Sequence, residues 1–138
     1  MTSKPTYILD SFALLAYLQG EAGMARVQQS LEGSQKERHR VAMCIINLGE
    51  ALYIIEREQG MVKAQEALAA IQQLPIEILP ADEQTVFAAA HIKANHALSY
   101  ADAFAAACAQ SLNGIVLTGD KEFETVETLV SVEWLQRN

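Results

Sequence analysis

The sequence has few of the features that mark a secreted, disulfide-bonded or membrane-embedded protein. It contains two cysteines in 138 residues. These are Cys44 and Cys108, which stand far apart in apolar surroundings and lack CxxC spacing. No apolar run approaches the roughly 18 residues of a membrane span, and the stretch from Met1 to Pro5 carries no apolar leader segment. We therefore expect a cytoplasmic protein without membrane association, in which both cysteines are reduced core residues.

Positive charge is also scarce. Ten Lys and Arg residues stand against 17 Asp and Glu residues, which gives a net charge of −7. Phosphate contacts need a basic surface, so this balance alone counts against a nucleic-acid-binding protein. The exception is an enzyme whose acidic residues hold a divalent metal that then meets the phosphate. The one basic cluster, Lys36, Arg38 and Arg40, is interpreted as part of a solvated loop.

Several motifs of common enzyme classes are missing. No GxGxxG, Walker or GxSxG motif is present, which excludes the usual forms of dinucleotide binding, P-loop chemistry and the esterase elbow. The three histidines, His39, His91 and His96, are not spaced as zinc ligands. We expect all three at the surface.

Short strands and helices alternate along the chain, which is 51% hydrophobic. The predicted strands are Tyr7–Leu9, Arg40–Cys44, a segment between Pro75 and Pro80 that suits a sheet edge, Ile115–Thr118, and Leu129–Trp134. The predicted helices are Ser11–Gln19, Ala22–Leu31 with a stop at Gly33, Ile45–Gln59, Lys63–Leu74, one from an Asp82 cap to Asn95, and Ser99–Leu112, while Lys121–Glu127 is helical or irregular. This alternation predicts a single three-layer α/β/α domain over residues 1–138, with a mostly parallel sheet.

Four acidic residues fall at points where such a fold brings chain segments together. Asp10 follows the first strand and Asp120 follows the strand Ile115–Thr118, so both should lie at the carboxyl edge of the sheet. Asp102 stands in the first turn of the helix before that later strand, and Glu50 lies inside the helix after the second strand. Carboxylates at one edge repel one another unless a cation lies between them. Mg²⁺ or Mn²⁺ is the natural candidate, because these ions take carboxylate oxygens and bind phosphates.

Each of these residues also has a purely structural interpretation. Asp10 and Asp120 suit helix N-caps or turns, and Ser99 to Asp102 has the spacing of a capping box. Glu50, taken alone, is an ordinary exposed helix residue. Their joint placement favours a metal site over four unrelated roles.

Four segments in this order resemble the PIN-domain nucleases, and within them the VapC toxins of prokaryotic toxin–antitoxin pairs. The segments are Leu9-Asp10-Ser11, Asn47-Leu48-Gly49-Glu50-Ala51, Leu98-Ser99-Tyr100-Ala101-Asp102-Ala103 and Leu117-Thr118-Gly119-Asp120-Lys121-Glu122-Phe123. The resemblance runs from Tyr7 to about Val132. It implies a doubly wound parallel sheet of about five strands between helices, in agreement with the three-layer domain.

The resemblance also implies an activity, a metal and partners. The family's metal-binding and catalytic quartet falls on Asp10, Glu50, Asp102 and Asp120, and its supporting polar positions fall on Ser11, Asn47 and Thr118. The implied reaction is Mg²⁺- or Mn²⁺-dependent hydrolysis of RNA, in single strands or loops, to 5′-phosphate and 3′-hydroxyl ends. The implied partners are a second copy of the chain and an antitoxin whose basic tail covers the acidic groove.

Two other classes of function stay open from the residues. A phosphatase or phosphotransferase with Asp10 as nucleophile needs a second acidic residue shortly after it, and Ser11-Phe12-Ala13 supplies none. A PIN-like scaffold that binds protein or RNA without cutting has no need of four mutually repelling carboxylates. Also open are whether Glu50 binds metal or orients water, whether one or two ions bind, and how an acidic protein holds RNA.

Overall fold

The computed structural model of the protein describes residues 4–137, and its five strands form one parallel sheet in the order β3-β2-β1-β4-β5. The strands are β1 (Thr6–Leu9), β2 (Arg40–Cys44), β3 (Glu77–Leu79), β4 (Ile115–Thr118) and β5 (Ser131–Trp134). The helices are α1 (Ser11–Gln19), α2 (Met24–Gln35), α3 (Ile45–Gln59), α4 (Met61–Ile71), α5 (Glu83–Asn95) and α6 (Tyr100–Leu112), and a short 3-10 helix covers Lys121–Val126. The predicted α/β fold with a parallel five-stranded sheet between helices is confirmed. Within the described part of the chain, no helix is long and apolar enough to cross a membrane.

The strand order places a crevice beside the central strand. The chain adds β2 and β3 on one side of β1 and later adds β4 and β5 on the other side, so the winding reverses between β1 and β4. Leu9 is paired with Leu117 across these two strands. The residues that follow, Asp10 and Thr118, therefore lie side by side at the carboxyl edge. In doubly wound sheets, ligands bind at such a reversal point.

Alternate residues of the central strands pack into two separate cores. Ile8 and Val116 belong to the core beneath α5 and α6, whereas Leu9 and Leu117 belong to the core beneath the helices α1 to α4. Five buried residues on α6, at positions 103, 105–107 and 109, are alanines, and their small side chains let this helix lie close to the sheet. Cys44 and Cys108 are buried and free, as predicted.

The second helix is longer than predicted, because Gly33 does not stop it. It runs from Met24 to Gln35. It therefore begins two residues after the predicted start at Ala22 and ends four residues after the predicted end at Leu31. A Cβ atom on Gly33 would lie 2.1 Å from the His39 ring, so glycine is needed there for close packing. The His39 ring is half-buried, with Nε2 2.6 Å from the Ser30 carbonyl oxygen. The expectation of three surface histidines is therefore wrong for His39, and His96 is half-buried as well.

The fourth helix and the last strand also have shifted bounds. Helix α4 begins at Met61, directly after Gly60, whose φ of 92° favours glycine. Its first two residues, Met61 and Val62, are apolar but exposed. They lie outside the buried face whose periodicity predicts the helix. At the other end, Leu74 lies in a turn after α4, and Leu129 lies in a turn before β5. The predicted bounds were therefore wrong by two or three residues at these points.

A close contact between Gly119 and Phe12 offers a test of the packing beside the crevice. A Cβ atom on Gly119 would lie 2.3 Å from the Phe12 ring. We predict that Gly119→Ala lowers the free energy of unfolding by about 1–3 kcal/mol, since overpacking forces ring or backbone shifts of that order. Thermal unfolding followed by circular dichroism measures the change.

The matched control is Gly49→Ala. This glycine is exposed on α3, and no atom of the described residues outside the adjoining helix backbone lies within 4 Å of the position that a Cβ atom would occupy there. The substitution should therefore stabilise the protein by up to about 1 kcal/mol through helix propensity. A Gly119→Ala protein as stable as wild type would show that Phe12 moves aside freely.

Candidate active site

Asp10 is the fixed point of the site. It caps the N-terminus of α1, and its Oδ1 atom accepts a hydrogen bond from the Ala13 backbone N–H at 2.9 Å. Its Oδ2 atom accepts a hydrogen bond from the Thr118 hydroxyl at 2.5 Å, and Thr118 Oγ1 in turn accepts one from the Asp120 backbone N–H at 2.9 Å. Asp10 is only 1% exposed. The structural interpretation as a cap is correct, but the cap also ties the ends of β1 and β4 together.

Glu50 approaches the same edge from α3. The Ser11 hydroxyl donates a hydrogen bond to Glu50 Oε1 at 2.5 Å, which joins the first residue of α1 to the middle of α3. Glu50 is half-buried. Its charge is near enough to raise the pKa of Asp10. The two residues therefore share one electrostatic environment.

Three further carboxylates form a compact group on the other side of the crevice. Asp102, Asp120 and Glu122 each offer one oxygen, and these three atoms lie within 4.8 Å of one another. Glu122 Oε1 also accepts a hydrogen bond from the Ser99 backbone N–H at 3.1 Å, and Asp120 Oδ1 accepts one from the Glu122 N–H at 2.9 Å. The turn after β4 is thereby joined to the start of α6.

Glu122 was not among the predicted site residues. The available signal was its spacing, because Asp120 and Glu122 stand two residues apart in the turn after a strand that ends at the site. Exposed glutamates are common on protein surfaces. Glu122 is distinguished from other surface glutamates by its contact with Ser99 and by its place beside the carboxylates of Asp102 and Asp120.

Asn47 supports the site from α3. It is fully buried, and its Nδ2 atom donates a hydrogen bond to the Ala101 carbonyl oxygen at 3.0 Å. This bond joins α3 to the first turn of α6, next to Asp102. Within residues 4–137, the Oδ1 atom of Asn47 has no hydrogen-bond partner.

The buried carboxyl groups are strongly perturbed. The pKa of Asp102 is raised to about 9, first by burial and then by its hydrogen-bond contact with Asp120 and by the charges of Asp120 and Asp10. The pKa of Asp10 is raised to about 7, mainly by burial, although its bonds from Thr118 and Ala13 oppose the rise. A proton or a cation is needed to make this arrangement favourable near neutral pH.

The donor set fits a hard divalent cation. Every candidate ligand atom in the group of three is a carboxylate oxygen, and such oxygens suit Mg²⁺, Mn²⁺ or Ca²⁺ better than zinc. Asp102 is 3% exposed, and its Oδ2 atom has no hydrogen-bond partner among the residues that the structure describes. A buried acceptor without a partner is unfavourable, and a bound cation would satisfy it. Asp10 and Glu50 lie outside the group of three, yet Asp10 interacts electrostatically with Asp102 and Asp120.

Comparison with known proteins gives one family and one fold. The family model described as the PIN domain matches residues 7–129. The solved structure of VapBC2 from Rickettsia felis, bound to a DNA fragment from its promoter, is similar with a TM-score of 0.73 at 17% identity, covering 95% of this chain and 99% of that one. DNA-bound VapBC from Salmonella typhimurium gives a TM-score of 0.71 at 22% identity, and the match covers 94% of this chain and 97% of that one.

A third similar structure is VapC20 from Mycobacterium tuberculosis, described as a toxin that cleaves the sarcin-ricin loop. It gives a TM-score of 0.67 at 18% identity, covering 86% of this chain and 92% of that one. A search of curated proteins found no match. At these identities the structural likenesses establish the shared fold.

The raised pKa of Asp102 predicts a stability change that depends on pH. Folding raises this pKa from 3.8 to about 9, so the unfolded chain ionises first as the pH rises, and the folded state loses stability between these values. An asparagine at this position cannot ionise, so it avoids that loss of stability. We predict that Asp102→Asn, kept metal-free with EDTA, has an unfolding temperature about 3 °C or more above that of wild type at pH 8. This difference in unfolding temperature should vanish towards pH 4.

Differential scanning calorimetry of both proteins across this pH range measures the effect. Glu56→Gln is the matched control, because Glu56 is exposed on α3. It should unfold within about 1 °C of wild type at every pH, as surface substitutions usually do. A gain for Asp102→Asn that is independent of pH would contradict the assignment to a buried charge.

Proposed function

This chain belongs to the PIN domain family, and on that premise we propose that it is a metal-dependent endoribonuclease, the toxin of a toxin–antitoxin pair. The observation that carries the proposal is the group of Asp102, Asp120 and Glu122 beside Asp10, at the point where the sheet reverses its winding. These carboxylates are held close together although they repel one another. The proposed nuclease domain comprises residues 1–138.

The proposed cofactor is Mg²⁺ or Mn²⁺, held by Asp10, Asp102 and Asp120 with Glu122 beside them. When bound, such an ion lowers the pKa of a water molecule and neutralises charge that develops on the phosphate. Thr118 keeps Asp10 oriented through its hydroxyl hydrogen bond. Fixing a carboxylate in this way reduces the reorganisation that binding requires.

Glu50 has a separate role in this proposal. Ser11 donates to Oε1 and so fixes the carboxylate, which leaves Oε2 to accept a proton from the attacking water or to contact a metal. Asn47 sets the position of α3 relative to the start of α6 through its bond to Ala101. It therefore controls the separation of Glu50 and Asp102. The proposed products carry 5′-phosphate and 3′-hydroxyl ends.

The rival mechanism with an Asp10 nucleophile is disfavoured by the residues that follow Asp10. Such a mechanism needs a second acidic residue shortly after the nucleophile, and Ser11-Phe12-Ala13 supplies none. The scaffold alternative is disfavoured because burial raises the pKa of Asp10 and Asp102 and so destabilises their ionised forms. A scaffold that binds no cation would lose this stability without any functional gain.

The proposed partners are RNA, an antitoxin and a second copy of the chain, and the proposed location is the cytoplasm. Several similar solved structures are described as VapBC or toxin–antitoxin complexes. The net charge of −7 suits an antitoxin with a basic segment, because complementary potentials speed association and fix its register. Such a segment would cover the acidic crevice and keep RNA out.

The activity itself is tested by Asp10→Asn. We predict that the wild type cleaves single-stranded RNA when Mg²⁺ or Mn²⁺ is added and that this variant loses at least about 100-fold in rate, as expected when a group that stabilises the transition state is removed. The fold should persist, because Asn is nearly isosteric. Cleavage is followed on a fluorescently labelled oligonucleotide, with Glu56→Gln as the active control.

Purifying both variants in the same way also controls for contaminating ribonucleases. Metal-dependent cleavage retained by Asp10→Asn would remove Asp10 from the site. A wild type that binds no metal and cuts no RNA would favour the scaffold.

Metal binding is tested independently of activity by thermal shift. A ligand at about 100 times its dissociation constant stabilises the folded state by about 2.7 kcal/mol, which is roughly 8 °C for a chain of this size. We predict such a rise for wild type and Glu56→Gln on adding Mn²⁺, and little or none for Asp102→Asn or Asp120→Asn. Equal shifts in all four proteins would place the metal elsewhere.

A further inference from the structure

The basic cluster of the sequence does not serve the carboxylate site. Lys36 and Arg38 lie exposed in the loop before β2, and Arg40 begins β2 at the opposite edge of the sheet from Asp10. Arg40 is also paired with Glu77 on the neighbouring strand. An RNA strand that reaches the carboxylates therefore needs other contacts.

Two exposed aromatic residues stand on the two helices that carry Glu50 and Asp102. Tyr53 is 53% exposed and follows Glu50 by three residues on α3, so both project from one helical face. Tyr100 is 47% exposed and is the first residue of α6, two before Asp102. The bond from Asn47 to Ala101 holds these two helix segments against each other.

Both rings are held by a neighbour. The Arg57 guanidinium lies over the Tyr53 ring, 5.4 Å from its centroid, so one face of the ring is covered by a cation. The Tyr100 ring packs edge-to-face on the buried Phe104 ring, with centroids 5.0 Å apart. Aromatic rings held in this way lose little conformational entropy on binding a ligand.

We propose that Tyr53 and Tyr100 are stacking positions for unpaired nucleobases of an RNA strand that reaches the carboxylates. This inference rests on the proposed function and specifies how that site takes single-stranded RNA. Stacking of a base on an aromatic ring contributes about 1–3 kcal/mol and tolerates any sequence. Arg57 adds a cation beside the Tyr53 ring, which strengthens stacking and suits a phosphate.

Stacking resolves the conflict between an acidic protein and an anionic ligand. Contacts to phosphate weaken steeply with salt, because each one releases a counterion, whereas stacking depends much less on ionic strength. Duplex RNA presents no free base faces. The site should therefore prefer single strands, with a shallow dependence on salt.

Fluorescence anisotropy of a labelled ten-nucleotide single-stranded RNA tests the proposal. Every protein carries Asp10→Asn so that the RNA stays intact. We expect Tyr53→Leu and Tyr100→Leu each to weaken binding by about 5- to 150-fold, the equivalent of one lost stack, and Tyr53→Phe and Tyr100→Phe to bind within about twofold of the parent. An oligonucleotide without bases should bind parent and Leu variants equally.

The matched control is Phe87→Ala. Phe87 is another aromatic residue with a highly exposed side chain, at 64%, and it lies on α5. Thr85, two residues before it, lines a cavity with Ser111 and Leu112 at the far end of α6 from Asp102. The loss of the Phe87 ring should leave RNA affinity unchanged.

Three results would overturn the inference. Leu variants that bind RNA as tightly as their parent, while wild type cleaves RNA, would reject stacking and leave the nuclease proposal intact. A wild type that neither binds nor cleaves RNA would reject both. If Tyr53→Leu converts a dimer to a monomer in light scattering and loses RNA only for that reason, the surface is instead an interface between two copies.

Discussion

The main physical constraint on the structure is that several carboxylates lie close together at one edge of the sheet, where they repel one another. Asp10 and Asp102 are almost fully buried there, and the charge of Asp10 helps to raise the pKa of Asp102. The two side chains are supported differently. Hydrogen bonds from Thr118 and the N-terminus of α1 support the charge on Asp10, whereas Asp102 has an oxygen that no described group of the protein satisfies. A bound cation would offset both the repulsion and the missing contact.

Much of the fold was predictable because parallel sheets impose simple patterns. Strands buried on both faces read as apolar runs, such as Tyr7–Leu9 and Ile115–Thr118, and their neighbours β2 and β5 follow from alternation with helices. The errors arose where packing overrides local signals. Gly33 looks like a helix stop, yet the His39 ring requires it inside a helix. No local pattern reveals a contact with a residue beyond the helix end.

The site was predictable to a similar degree. Placing Asp10 and Asp120 after adjacent strands required only the parallel topology, and their electrostatic interaction agrees with that placement. The link from Ser11 to Glu50 and the partnership of Glu122 with Ser99 depend on how α1, α3 and α6 are oriented, which helical periodicity does not specify. The metal-binding and catalytic roles of these residues stay predictions.

In the proposed function, the same charges act differently on substrate and inhibitor. A field from seven net negative charges attracts a basic antitoxin segment over about 10 Å at moderate ionic strength and repels RNA over the same distance. RNA then gains affinity only at short range, from metal ions bound to the carboxylates and from stacking on tyrosines. Long-range attraction governs association rates, while short-range contacts mainly govern dissociation. Such a site would favour rapid capture by its inhibitor over capture of substrate.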